Sequence, residues 1–153
     1  MTTYTNNSGT GTHSATNAVP YLLDEIVDFA NLETTADVAI TPGSADVYTV
    51  LNIPALSTVV MAGIEVLTVE STNTTTKVAL GDGSVVYVAA AVVTSLGNMT
   101  GVNDIAEVGV GYTAADTLDL TSSVAAPTDA KLRVWAIVQD MSSPNVTQRQ
   151  KFT

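Results

Sequence analysis

No cysteine occurs in the 153 residues, which excludes a disulfide framework, thiolate-held metals and cysteine nucleophiles, and fits synthesis in a reducing cytoplasm. Basic residues are scarce too: five Lys and Arg stand against fifteen Asp and Glu, for a formal net charge of −10. Nucleic-acid binding needs clustered Lys and Arg to replace the counterions of phosphates, so no nucleic-acid partner is expected. The deficit is lopsided, because no Lys or Arg precedes Lys77 whereas eight of the fifteen acids do. An anionic half of this kind favours solubility and suits a basic protein surface. Long apolar runs are missing as well. The longest, Val85 to Val93, is too short to cross a bilayer, and no membrane partner is expected. The first twenty residues hold neither a basic cluster nor an apolar stretch, so no secretory leader is expected in them.

What is present is apolar and β-branched. Hydrophobic residues make up 46% of the chain and charged ones 13%, which excludes global disorder, while aromatics at 5% leave the core to Val, Leu, Ile and Ala. A chain of this length is expected to form one domain with one core. Residues 1–19 are mostly Thr, Asn, Ser and Gly, with a lone Tyr4 and His13, a composition that predicts a flexible N-terminal arm. The domain is expected over 20–141, and 142–153 is a C-terminal tail.

Periodicity predicts the elements. Residues 20–32 fit a helical stripe (Leu22, Ile26, Phe29) or a strand face (Leu23, Val27, Phe29), and the strand is preferred. Val47, Thr49, Leu51 and Ile53 alternate with Tyr48 and Val50 until Pro54 removes a ladder donor. Val59 to Val69 is apolar on both parities, as in a central sandwich strand bulged at Gly63. Lys77 to Leu80 runs into the turn Gly81-Asp82-Gly83, and Val85 to Val88 follows as a strand. Ala89 to Gly111, rich in glycine, reads as one long loop flanked by short strands. Thr117 to Thr121 places Leu118 and Leu120 inward, and Lys131 to Met141 places Leu132, Val134, Ala136 and Val138 on one face with Arg133, Trp135, Ile137 and Gln139 on the other. About eight short strands, no long helix and no βαβ spacing predict an all-β fold, a jelly-roll-like β-sandwich.

Catalytic chemistry has little to work with. The only histidine is His13 in the arm, so a Ser/His/Asp arrangement has no positioned base. Asp104 with Glu107, or Asp116 with Asp119, are the nearest to a glycosidase pair, but acids so spaced in loops are usually just solvated. Gly81-Asp82-Gly83 and the Asp104 loop offer oxygen ligands without the alternating acids of a calcium loop. Trp135 has a sugar-stacking reading and a packing reading, and packing is preferred. No enzyme, metal or cofactor is expected.

The segments VYTVLNIPALSTVVMAGIEV (47–66), VALGDGS (78–84), YTAADTLDLT (112–121) and KLRVWAIVQD (131–140) resemble, in their order, small structural proteins of tailed phages, the capsid decoration or head-fibre proteins. The likeness extends over 20–141, with YLLDEIVDFA as the opening strand. It implies a jelly-roll protomer that self-associates, as a trimer, and binds the major capsid protein on the outer shell of the virion after synthesis in the host cytoplasm. Independently, a sandwich too apolar on its outer faces for a monomer needs a partner, and Val59, Met61, Trp135 and Ile137 are the candidates for burial between subunits. Two other readings use the same fold: a tail or fibre component contacting the host surface, and a carbohydrate-binding module using Tyr112 and Trp135.

Overall fold

Alternation of apolar and polar side chains, the period of an extended chain, becomes nine strands among the described residues. The computed structural model describes residues 20–32, 41–101 and 109–141. The expected arm and tail, His13, Asp104 and Glu107 lie outside them. The strands are β1 (Tyr21–Asp28), β2 (Val47–Ile53), β3 (Ser57–Thr68), β4 (Lys77–Gly81), β5 (Val86–Val92), β6 (Gly97–Gly101), β7 (Val110–Tyr112), β8 (Asp116–Ser123) and β9 (Lys131–Asp140). All pairings are antiparallel.

The strands form two sheets. One runs β1-β9-β3-β6, with β7 also on β3, and the other runs β2-β8-β4-β5. They face each other through contacts of β1 with β2, β2 with β9, and β5 with both β3 and β6. The chain is an all-β sandwich, as its alternation predicts. The core lies between the sheets: Leu132, Val134, Ala136 and Val138 of β9 are fully buried, and so are Leu118 and Leu120 of β8 and Val78 and Leu80 of β4.

The ambiguous opening segment resolves into both periods in succession. β1 pairs with β9 from Tyr21 to Asp28, and one 3-10 turn, Phe29–Asn31, follows. Asp28 ends the strand by accepting hydrogen bonds from the Ala30 amide and the Asn31 side chain, both at 3.2 Å. The turn drives Phe29 into the core, edge-on to Tyr48 at 5.3 Å between ring centres.

Three expectations about register are corrected. In β3 the irregularities fall between Val59 and Met61 and between Val66 and Thr68, not at Gly63. In β2 the register shifts between Thr49 and Leu51, so Val47 and Thr49 face solvent while Leu51 and Ile53 are buried; the four do not share a face. The stretch from Ala89 to Gly111 is not one loop, since β5 continues to Val92 and β6 and β7 follow. The physical reason is common to the first two. A bulge adds one residue and inverts the inside–outside parity beyond it, and a run that is apolar on both parities does not mark where this happens.

The Gly-Asp-Gly turn forms as expected, and its residues show why. Asp82 accepts from the amides of Ser84 at 2.8 Å and Val85 at 2.6 Å, closing an Asx-type turn, and Gly83 sits at φ +86°.

Candidate functional site

The outer face of the β1-β9-β3-β6 sheet is where the sequence candidates come together. Strict alternation in β9 sends Arg133, Trp135, Ile137 and Gln139 outward. Beyond the β3 bulge, Met61, Gly63 and Glu65 stand opposite Ile137, Trp135 and Arg133 on the same face. On the other side of β9, Leu22, Asp24, Ile26 and Asp28 of β1 stand opposite Ile137, Trp135, Arg133 and Lys131. Met61, Trp135 and Ile137 are thus gathered on one surface. Val59 is not among them: it precedes the bulge, points inward opposite Val138, and is 0% exposed. Its contacts are with the core, which corrects its place among the outward candidates.

This face is divided along its length. At the end nearest Lys131, Arg133 reaches Asp24 at 2.9 Å and Glu65 at 3.6 Å, and Lys131 pairs with Asp28 at 2.8 Å. Towards the other end the residues are apolar. Leu22 is about half exposed there, and so are Leu56 and Met141 where the Met141 amide donates to the Leu56 carbonyl at 2.7 Å; Ile26 is as exposed but stands opposite Arg133 at the charged end. The outer face of the other sheet is mixed: Thr49, Thr117, Asp119, Thr121 and Lys77 point outward there together with the exposed Val47, Val86 and Val92.

Gly63 explains how the single tryptophan is held on this surface. A Cβ at Gly63 would lie 2.5 Å from Cζ2 of Trp135, so the indole occupies the space that a side chain would need. Gly63→Ala is expected to push the ring off the strand at a cost of about 1–3 kcal/mol. A red-shifted tryptophan emission together with a lowered urea midpoint would check this.

The remaining candidates do not assemble a catalytic or sugar-binding site among the described residues. Asp116 and Asp119 are three apart in β8, an odd spacing that turns them to opposite faces, and Asp116 bonds the next amide at 2.8 Å. Tyr112 is 7% exposed and far from a stacking role. Its hydroxyl donates to Asp82 at 2.6 Å and lies 2.8 Å from that of Tyr87. Burial, then the hydrogen bond to Asp82, pushes the Tyr112 hydroxyl well above the usual tyrosine range. Burial also raises Asp82, but the bonds from Tyr112, Val85 and Ser84 outweigh it and hold the carboxyl below its ordinary value. Its oxygens are thereby committed to the turn, and no group of three or more metal-ligating side chains occurs among the described residues.

The fold is similar to one found in a phage capsid. A chain of the acidic stable capsid structure of Helicobacter pylori bacteriophage KHP30 matches with a TM-score of 0.57 and 16% identity, over 85% of this chain and 94% of that chain. At that identity the likeness is one of fold. No family model and no curated protein matches the sequence.

One structural residue escaped the sequence reading. Glu70, at the corner between β3 and β4, is 1% exposed and binds the corner between β8 and β9. Its carboxylate accepts from the amides of Asn73 (3.0 Å), Thr128 (2.7 Å), Asp129 (3.1 Å) and Ala130 (3.3 Å), and from the Thr128 hydroxyl (2.8 Å). Asn73 returns a bond to the Ala126 carbonyl at 2.7 Å, and Asp129 accepts from both the amide and hydroxyl of Ser71. The two corners that carry the chain across the sandwich are thereby tied to each other. A Glu in a Ser/Thr/Asn stretch looks like any solvated loop acid, and no signal in the sequence separates it.

This corner predicts an acid response. The hydrogen bonds from the Ser71 hydroxyl and amide pull Asp129 down to about 2, below its ordinary carboxyl value. A folded-state value below the unfolded one contributes stability that is present above about pH 4 and is lost as pH falls towards about 2. Asp129→Asn is expected to flatten that acid limb while leaving its shape near neutrality unchanged, as read by urea midpoints across pH.

Proposed function

We propose that this chain is a structural protein of a tailed-phage particle, a capsid decoration protein that binds the outer shell and stabilises it. The observation that carries the reading is the fold likeness to a chain of a phage capsid structure, which spans most of both chains. The strand order supports the finer assignment to a jelly roll: eight strands divided as β1-β9-β3-β6 and β2-β8-β4-β5 alternate between sheets as two Greek keys would, with β7 as an addition. The exposed apolar side chains on the outer face of the β1-β9-β3-β6 sheet support a protein that works by contact. Met61, Trp135 and Ile137, with Leu22 beside them, are the contact residues on this reading. The partners are the major capsid protein and further copies of the chain, arranged as a trimer.

The mechanism is linkage. A subunit that binds the assembled shell more tightly than loose shell protein stabilises the shell by the difference, repeated at every copy. Several attachment points per oligomer make individually weak contacts sufficient. Quantitative mass spectrometry of purified virions, with the major capsid protein as reference, tests the reading. A copy number equal to that of the shell subunit, or a simple fraction of it, is the expected result. A handful of copies would move the protein to the tail or fibre, and absence from the particle would overturn a virion role altogether.

A further inference from the structure

We propose that a hollow on the outer face of the β2-β8-β4-β5 sheet is a socket for a lysine side chain of the shell protein, with the Asp119 carboxylate as its counter-charge. The inference rests on reading the chain as a shell-binding protein, and it adds a second place of contact and the chemistry used there.

The hollow follows from the register of the sheet. On its outer face Val47, Thr121 and Ala79 stand in one row across β2, β8 and β4, and Thr49, Asp119, Gly81 and Val86 stand in the next row, which extends to β5. β4 contributes a methyl group at Ala79 and no side chain at Gly81, so the surface dips between its neighbours to leave a cavity of about 180 Å³. Glycine is required at 81. A Cβ there would run into the Val85 carbonyl oxygen, where the turn after β4 folds back over the strand. That fold raises Val86 as one wall of the hollow, and Val47 stands at the other side. Both valines are exposed, which leaves the rim apolar.

The charge in the hollow has no counterpart in the described residues. Asp119 is the one ionisable side chain that lines it, and its Oδ1 is buried without a hydrogen-bond partner among the described residues. Those residues include three bases, Lys77, Lys131 and Arg133. Lys131 and Arg133 are engaged with Asp24, Asp28 and Glu65 on the other sheet. Lys77 is four residues from Gly81 along β4, ~13 Å away at ~3.3 Å per residue. A partly buried carboxylate without a cation or a donor carries a desolvation cost that an arriving cation offsets.

The shape of the site selects the cation. One carboxylate is too few ligands for calcium, which takes six to eight oxygens. An Arg guanidinium binds best to both oxygens of a carboxylate, and here one of the two is buried. A lysine ammonium is a compact point charge that needs one oxygen, and its methylene stem lies well against apolar walls such as Val47 and Val86. A second copy of the chain is the weaker candidate, since two bodies of formal net charge −10 repel.

Binding of the full-length chain to intact shells purified without it, read by co-sedimentation over a range of salt, tests the socket. Two variants are compared with the unaltered chain: Asp119→Asn keeps the size and removes the charge, and Ala79→Leu fills the hollow and leaves the carboxylate. Each is expected to weaken binding about tenfold or more, and Asp119→Asn to flatten its salt dependence. The unfolding midpoint of free Asp119→Asn is expected to be unchanged or raised, because no partner within the described residues is lost. A purely structural role would lower it. Acetylation of the shell's lysines, which leaves arginines charged, is expected to weaken binding of the unaltered chain and to add little to the effect of Asp119→Asn. Unchanged binding by either variant, or binding indifferent to acetylation, would overturn the socket and leave the shell-binding reading intact. Loss of self-association in Asp119→Asn with shell binding unchanged would overturn it as well, by making a second copy the source of the cation. Failure of the unaltered chain to bind shells at all would overturn the shell-binding reading and this inference with it.

Discussion

Glu70→Ala is expected to destabilise the fold by about 3–5 kcal/mol, the range for removing one partner from a buried charged network. Five donors converge on this carboxylate, and four of them are backbone amides, of which those of Thr128, Asp129 and Ala130 cannot turn elsewhere without moving the Ala126–Ala130 corner. Left without an acceptor, each buried donor carries a desolvation cost of about 1–3 kcal/mol, and water entering the vacated space keeps the total below their sum. For a domain of this size the unfolding midpoint should fall by roughly 10 °C, measurable by calorimetry. Glu70→Gln should cost less, about 1–3 kcal/mol, because its amide oxygen can keep the Thr128, Asp129 and Ala130 amides while its NH2 group meets the Thr128 hydroxyl, which can rotate to accept. Equal stability of Glu70→Ala and the unaltered chain would mean that the corner is held by something other than this carboxylate.

The second large effect separates two neighbours on one strand. Val59→Ser is expected to cost about 2–4 kcal/mol, from lost burial, a small cavity and a hydroxyl placed among apolar side chains. Met61→Ser, two residues on but past the bulge, is expected to cost about 1 kcal/mol or less in the isolated chain, since its side chain is only partly covered. Urea unfolding of the two variants checks the ordering. The functional readout should run the other way: on the contact reading, Met61→Ser weakens association with shell or subunit while Val59→Ser acts only through stability. Similar unfolding costs at the two positions would contradict the placement of the bulge at Val60.

Much of the architecture was legible because alternation is a local property. The inward set Leu132, Val134, Ala136 and Val138 and the outward set Arg133, Trp135, Ile137 and Gln139 follow from a period of two, and β9 has no bulge to break it. Leu118 and Leu120 inward with Asp119 outward follow from the same rule, as does the turn at Asp82 from its flanking glycines. Composition set the class: a β-branched chain with few aromatics and no long helical stripe builds strands.

What was not legible depends on long-range pairing. Where both parities of β3 are apolar, the residue that slips is chosen by how its neighbours pair, so Val59 and Met61 fell on opposite faces of the sheet although they are two apart. Leu22 and Met61 join the same surface from strands distant in sequence, brought together only because β9 lies between β1 and β3. Glu70 changes from an ordinary loop acid into a buried brace because residues 126–130, more than fifty positions away, direct their amides at it. Periodicity acts within a few residues and is written in them; bulges, shared faces and buried polar partners are set by which segments meet, and that is a property of the folded chain.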